Sequence, residues 1–319
     1  MTEQNQTKSK PKRDIRLIVL DVDGTLLDSN HALTARVEQT IKAAVAKGVQ
    51  IVLATGKTRN STAHLVEKLG IKAPGIYLQG LAIYDENGTI THQWKLDPSL
   101  ARQVITFAED RGFMMVGFVE DRILARTDDP KLREGFSNYH EIAVEIVGPL
   151  QNLLNTTSLN KLIAIGEPRA ITALRWQLNL QIGGAGRTMQ AGVPWMVEIL
   201  PPGTSKGVAL KQLLKDMKIS PENVMAMGDA ENDVEMIQLA GVGVAMGQAA
   251  QNVKDAADFV TTTCDEDGVA VAIERFVLTE PETAKVEASV PASAPAVVIE
   301  PAASVPAAPE AAEKGKSAS

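Results

Sequence analysis

Read only for hydrophobic and polar positions, the chain alternates short apolar runs with stretches whose apolar residues recur every three to four places. Ile15 to Leu20 is almost continuously apolar, the mark of a central parallel strand buried on both faces. Leu33, Val37, Ile41 and Val45 then fall on one side of a predicted helix over Thr34 to Lys47, and Gly48 stops it. A second strand is expected over Val49 to Ala54, a helix over Arg59 to Leu69 closed by Gly70, and a third strand over Gly75 to Leu78. The same alternation returns after Ser205. A helix leads to strand Val224 to Met227, a second to strand Val242 to Ala245, a third to strand Ala257 to Val260, and a last helix follows. Strands and helices in this order predict an α/β fold, a parallel sheet with helices on both faces.

The middle of the chain has a different texture. Ala82 to Tyr84 and Ile90 to Trp94 flank Asn87-Gly88, a strong hairpin signal. Asp97-Pro98 opens a helix with a capping residue followed by proline at the first position. Phe113 to Val119 and Arg122 to Arg126 suggest a second hairpin. Strand Lys161 to Ile165, helix Arg169 to Leu180 and strand Trp195 to Leu200 follow. Hairpins mixed with helices predict a separate α+β module, residues 82–190, inserted into a core made of 14–81 and 191–278. Residues 1–13 are polar, and residues 279–319 are an Ala/Pro-rich mixture with repeats such as Ser289-Val290-Pro291 and Ser304-Val305-Pro306. Both ends are read as disordered.

Composition narrows the function classes. The 319 residues carry a net charge of −7, which argues against broad nucleic-acid binding but leaves room for a phosphorylated small molecule held by a few local cations. Cys264 is the single cysteine, so no intrachain disulfide can form and a reducing compartment is expected. His31, His64, His92 and His140 show no zinc-ligand spacing and read as surface or packing residues. No apolar run is long enough to cross a bilayer, and the first residues lack a secretory signal. A cytoplasmic protein with no membrane, nucleic-acid or obligate protein partner is the expectation.

The chemistry concentrates at strand ends. Asp21-Val22-Asp23-Gly24-Thr25 follows the first strand directly, and in open α/β sheets the carboxyl ends of strands open into the ligand crevice. Two close carboxylates repel each other unless a cation compensates, which suits a hard metal such as Mg²⁺ and supplies a nucleophile beside a general acid. A calcium loop is excluded, since Leu26 stands where its glycine belongs and Ala32 where its glutamate belongs. Turn and cap roles for the two aspartates are the plain structural alternative. Three further signals stand against that alternative. Ala54-Thr55-Gly56-Lys57 ends the second strand with a hydroxyl and amides suited to phosphate oxygens. Ser205-Lys206-Gly207 starts a helix and can bring a cation to the crevice. Gly228-Asp229-Ala230-Glu231-Asn232-Asp233 follows another strand, and its spacing of four sets Asp229 and Asp233 on one side of a helical turn.

With these motifs in order, the sequence resembles the Cof-type phosphatases of the haloacid dehalogenase-like hydrolase superfamily. The likeness runs from Ile15 to Phe276 and also takes in Gly243-Val244-Ala245-Met246-Gly247 and Glu266-Asp267-Gly268-Val269-Ala270. The resemblance implies a Rossmann-like core with an inserted Cof-type cap. It implies that Asp21 is the nucleophile that forms a phospho-aspartate and that Asp23 is the general acid and base. Thr55, Gly56, Lys57, Lys206 and Asn232 would bind phosphate. Lys206 would also offset the charge of Asp21. Mg²⁺ would be held by Asp21, by Asp23 through its backbone carbonyl, and by Asp229, with Asp233 or Asn232 orienting its waters and Lys206. About thirty residues separate Asp23 from Thr55, too few for a domain, whereas about a hundred and fifty separate Thr55 from Lys206, which places the cap there. Lys57, Gln79 and Gln248 depart from the residues common in the family at those places. The implied substrate is a small phosphorylated metabolite, either a sugar phosphate or a cofactor such as FMN or pyridoxal phosphate. A phosphosugar mutase and a non-catalytic binding protein on the same fold are the alternatives.

Overall fold

Strand Leu17–Leu20 is 0% exposed at all four residues, because helices cover both faces of the sheet it centres. Ile18 and Leu20 point toward helices Ala35–Ala46 and Gly268–Ile273, while Leu17 and Val19 pack with Ala209, Leu210 and Leu213 of helix Lys206–Met217. The period-two alternation of a strand thus feeds two separate apolar clusters, which is why its sequence shows no polar positions. This computed structural model describes residues 14–190 and 192–279. The two ends read as disordered, 1–13 and the tail from 280, lie outside the described residues.

The parallel sheet has five strands in the order Phe259–Val260, Val242–Ala245, Val224–Gly228, Leu17–Leu20, Gln50–Leu53. Each is within a few residues of its predicted span, and each is followed by a helix or helical turn. Helix Ala35–Ala46 is capped by Thr34, whose side chain accepts from Val37 N–H, and helix Arg59–Leu69 by Thr58 in the same manner.

The third predicted strand departs from expectation. Gly75–Tyr77 joins the parallel sheet only through a single bridge between Ala54 and Ile76. Its ladder runs antiparallel to Ala82–Tyr84, which in turn pairs with Ile90–Gln93 in a separate three-stranded sheet. The cause is local. Leu78, Gln79 and Gly80 all have positive φ (54°, 64° and 90°), and this tight reversal returns the chain along its own strand.

The rest of the middle segment builds a six-stranded sheet in the order Arg187–Gln190, Met196–Leu200, Lys161–Ile165, Met114–Val119, Arg122–Ala125, Val144–Ile146. All neighbours are antiparallel except the last pair. One face packs on helices Pro98–Glu109 and Pro168–Ile182 through Met115, Leu162 and Val197. The other presents Phe118, Ile163, Met189 and Met196. Helix Pro130–Asn138 and strands Val144–Ile146 and Arg187–Gln190 were not predicted. Among the described residues no helix is long and apolar enough to cross a membrane.

Gly80 ties the reversal to the start of helix Lys206–Met217. A Cβ there would lie 2.3 Å from the Ser205 carbonyl oxygen, with φ at +90°. Gly80→Ala is therefore expected to lower stability by about 1–3 kcal/mol or more, measured by urea denaturation. Unchanged stability would mean that the loop is not held in this conformation.

Candidate active site

Three neighbouring strands of the parallel sheet end side by side. Leu17–Leu20 delivers Asp21, Gln50–Leu53 delivers Thr55, and Val224–Gly228 delivers Asp229. After Asp21 the chain reverses through Gly24 at φ +76°, where a Cβ would lie 2.6 Å from Asp229 Oδ2. Glycine is needed here both for the backbone angle and for the close approach of the acid. On the opposite side, Lys206 opens its helix behind the Ser205 cap, whose Oγ accepts from Val208 N–H at 3.0 Å.

The Lys206 ammonium is 1% exposed and lies 2.6 Å from Asp21 Oδ1 and 2.8 Å from Asp233 Oδ1. Asp233 is fully used: its other oxygen, Oδ2, accepts from the backbone N–H groups of Asp229 and Ala230, each at 3.1 Å. Asp229 Oδ1 accepts from the Thr25 hydroxyl at 3.2 Å. Asp23 Oδ1 lies 2.9 Å from Lys57 Nζ and 3.1 Å from His31 Nδ1, and Lys57 also donates to the Tyr139 carbonyl.

The electrostatics follow from burial. Desolvation lifts the Asp21 carboxyl well above the usual carboxylate range; Lys206 pulls against this, and Asp233 and Asp229 add to it. Desolvation and the Asp233 carboxylate push Asp229 up to about 6. Burial pulls the Lys206 ammonium down, but Asp21 and Asp233 outweigh it and hold its pKa above the ordinary lysine value. One oxygen from each of Asp21, Asp229 and Asp233 lies within 4.8 Å of the others. Three carboxylates share one ammonium, and the donors are all hard oxygens. That set fits a divalent cation of the Mg²⁺ kind. With Asp233 committed to Lys206 and the backbone, Asp21 and Asp229 have oxygens left for such an ion.

A cavity of about 550 Å³ opens onto these groups. Asp21, Asp23, Thr55, Gly56, Lys57, Lys206, Asp229 and Asn232 all line it, so the fold gathers these sequence-predicted residues in one place. Asp233 stands behind them, 0% exposed. Asn232 donates to Gln79 Oε1 at 2.8 Å, which gives the unusual Gln79 a role in holding it. His31, a partly exposed histidine, contacts a carboxylate that the sequence did not pair it with. Asp28 accepts from Asn30 N–H and Ala32 N–H, and the loop this folds brings His31, at φ 57°, beside Asp23. Tyr139, Lys161 and Glu198 also line the cavity and were not foreseen, because they come from distant points on the six-stranded layer and its helix.

The family model for haloacid dehalogenase-like hydrolases matches residues 18–273. The chain belongs to this family. Among its relatives is a chloroplastic protein of Arabidopsis thaliana named endoribonuclease YBEY, 34% identical over 277 residues. The alignment covers 84% of this chain but 47% of that protein, so the chain spans about half the length of this relative. A 5-amino-6-(5-phospho-D-ribitylamino)uracil phosphatase, YcsE of Bacillus subtilis, is 29% identical, with 83% of this chain and 97% of its own covered. The crystal structure of a haloacid dehalogenase-like hydrolase from Bacteroides thetaiotaomicron superposes with a TM-score of 0.75 at 27% identity, covering 82% of this chain and 99% of that one. The hydrolase thus has the parallel-sheet core of its family and a cap built between the core strands Gln50–Leu53 and Val224–Gly228.

The raised Asp229 gives a pH signature. Its folded value of about 6 exceeds the ordinary 3.8, so the stability it contributes is full below the lower value and is lost as pH rises through the higher. In EDTA, Asp229→Asn should therefore be more stable than the parent above pH 6, by about 1–3 kcal/mol. The gap should close as the pH approaches about 4. Parallel stability curves for the two proteins would contradict this assignment.

Proposed function

We propose that this hydrolase is a Mg²⁺-dependent phosphatase that acts on a small phosphorylated metabolite through a phospho-aspartate on Asp21. The observation that carries the reading is the contact of Lys206 with Asp21 inside a ring closed by Asp229 and Asp233, at the mouth of a cavity. Lys206 engages Oδ1 of Asp21, which leaves Oδ2 to attack phosphorus in line with the departing ester oxygen. As the phosphorus–oxygen bond breaks, Asp23 gives its proton to the leaving alkoxide. In the second half, Asp23 takes a proton from water. The water oxygen attacks phosphorus, the bond to Asp21 breaks, and inorganic phosphate leaves.

Phosphoryl transfer spreads negative charge over the equatorial oxygens, and catalysis consists of positioning and charge cancellation. Lys206, the Thr55 hydroxyl and the backbone N–H of Gly56 supply this from the protein. Lys57 and His31 hold Asp23 in place from two sides. Asp21, the Asp23 carbonyl and Asp229 would hold Mg²⁺, with Asp233 and Asn232 orienting their neighbours. When bound, the ion offsets carboxylate charge and polarises a phosphoryl oxygen. The six-stranded layer lines the cavity opposite the carboxylates through Phe118, Ile163 and Met196. A phosphatase named for a ribitylaminouracil phosphate among the relatives supports a metabolite-sized substrate.

Asp21→Asn keeps the shape of the side chain and removes the nucleophile. It is expected to lower turnover of an aryl phosphate on the order of a thousandfold or more, with the melting transition retained. Retained turnover would take Asp21 out of the mechanism. EDTA should abolish the parent activity, and added Mg²⁺ should restore it. Activity indifferent to chelation would remove the metal from the reading.

A further inference from the structure

Thr55-Gly56-Lys57, the turn assigned to phosphate, has a donor on each of its three carbonyls, and the donors come from two different layers. Gln79 N–H donates to the Thr55 carbonyl and Leu78 N–H to the Lys57 carbonyl, each at 3.0 Å. Both of these belong to the positive-φ reversal of the core. The middle carbonyl, that of Gly56, accepts at 3.0 Å from Nζ of Lys161, the first residue of strand Lys161–Ile165 in the six-stranded sheet. This lysine is 2% exposed, pairs with Glu198 Oε1 at 3.2 Å, and stands 4.6 Å from the Phe118 ring centre. The phosphate chemistry above gives it no part.

The peptide between Gly56 and Lys57 is held at both ends. Its carbonyl accepts from Lys161, and its N–H donates to Thr55 Oγ1 at 3.2 Å. A hydroxyl oxygen that accepts this N–H still has its own proton to give. Glycine has the widest choice of backbone angles, so the local sequence does not hold this peptide in one orientation. A buried ammonium does. Resting on the phosphatase reading above, we infer that Lys161 is a positioning residue for phosphate binding. By fixing the Gly56 carbonyl it keeps the Lys57 N–H on Thr55 Oγ1, which leaves the Thr55 hydroxyl proton for a phosphoryl oxygen. Without the ammonium the carbonyl loses its donor and the peptide is free to rotate away from Thr55. The six-stranded layer therefore acts on the phosphate end of the cavity through the backbone of the core.

The test is inhibition of aryl phosphate turnover by inorganic phosphate, measured on the full chain with Mg²⁺. The double variant Lys161→Met, Glu198→Gln removes the contact with Gly56, keeps the net charge, and leaves no unpaired carboxylate behind. Its inhibition constant for phosphate is expected to rise about tenfold, the low end for one hydrogen bond to a charged group, and KM for the ester should rise in parallel. Glu198→Gln alone keeps Lys161 on Gly56, and its inhibition constant should stay within about threefold of the parent value. A double variant with the parent constant overturns the inference. So does a Glu198→Gln that weakens phosphate as much as the double variant, because the effect then belongs to the ion pair. Where the double variant fails to melt cooperatively, Lys161→Gln, one bond too short for the Gly56 carbonyl, is read against the same two outcomes. No turnover by the parent overturns the phosphatase reading and this inference together, whereas turnover with phosphate inhibition indifferent to Lys161 overturns this inference alone.

Discussion

A single ammonium, sealed from solvent, sets the terms for this molecule. Lys206 sits between Asp21 and Asp233, with Asp229 close behind. Removing such charges from water is expensive, and the arrangement persists only because each group has a partner. The sheet order supplies those partners. Adjacent parallel strands end at Asp21 and Asp229, and the helix that begins at Lys206 packs against the same sheet. The pair alone leaves the crevice short of positive charge. That shortage, visible in the upward shifts of Asp21 and Asp229, is what a hard cation would relieve.

The fold serves this constraint at several removes. Gly24 lets the chain turn within reach of Asp229, and Gly80 lets the loop before the second sheet lie against the Ser205 carbonyl that precedes Lys206. Asp233 gives both its oxygens to the site, one to Lys206 and the other to two backbone amides, so its position is determined from two sides. The six-stranded layer reaches in through Lys161 to Gly56 and through the Tyr139 carbonyl to Lys57. Both contacts end on the segment that follows the second core strand, so the layer that would contact the leaving group also touches the residues that would contact phosphate.

The core was readable from sequence because a strand buried on both faces has no polar positions and because its helices carry clear caps. Asp21, Thr55, Lys206 and Asp229 were readable for a related reason: each stands immediately after a strand or at a helix start, where local sequence fixes location. The third strand was misplaced because its partner depends on the positive φ at Leu78 and Gln79, a conformation that neither residue type advertises. Asp129-Pro130 did signal the helix that was missed, with the cap-then-proline pattern used at Asp97-Pro98. Arg187–Gln190 offered no such clue, since Met189 is the single apolar residue among its four. His31, Lys161 and Glu198 stayed hidden because their roles depend on contacts across long stretches of chain, and a lysine or glutamate inside a strand carries no local mark of a cavity.

The central claim is that the carboxylates around Lys206 form one site completed by a divalent cation. Calorimetric titration of the full chain with Mg²⁺ at neutral pH tests it most directly. The account predicts a single saturable site that disappears in Asp229→Asn while the protein stays folded. No saturable binding to the parent, or equal binding by the variant, would contradict it.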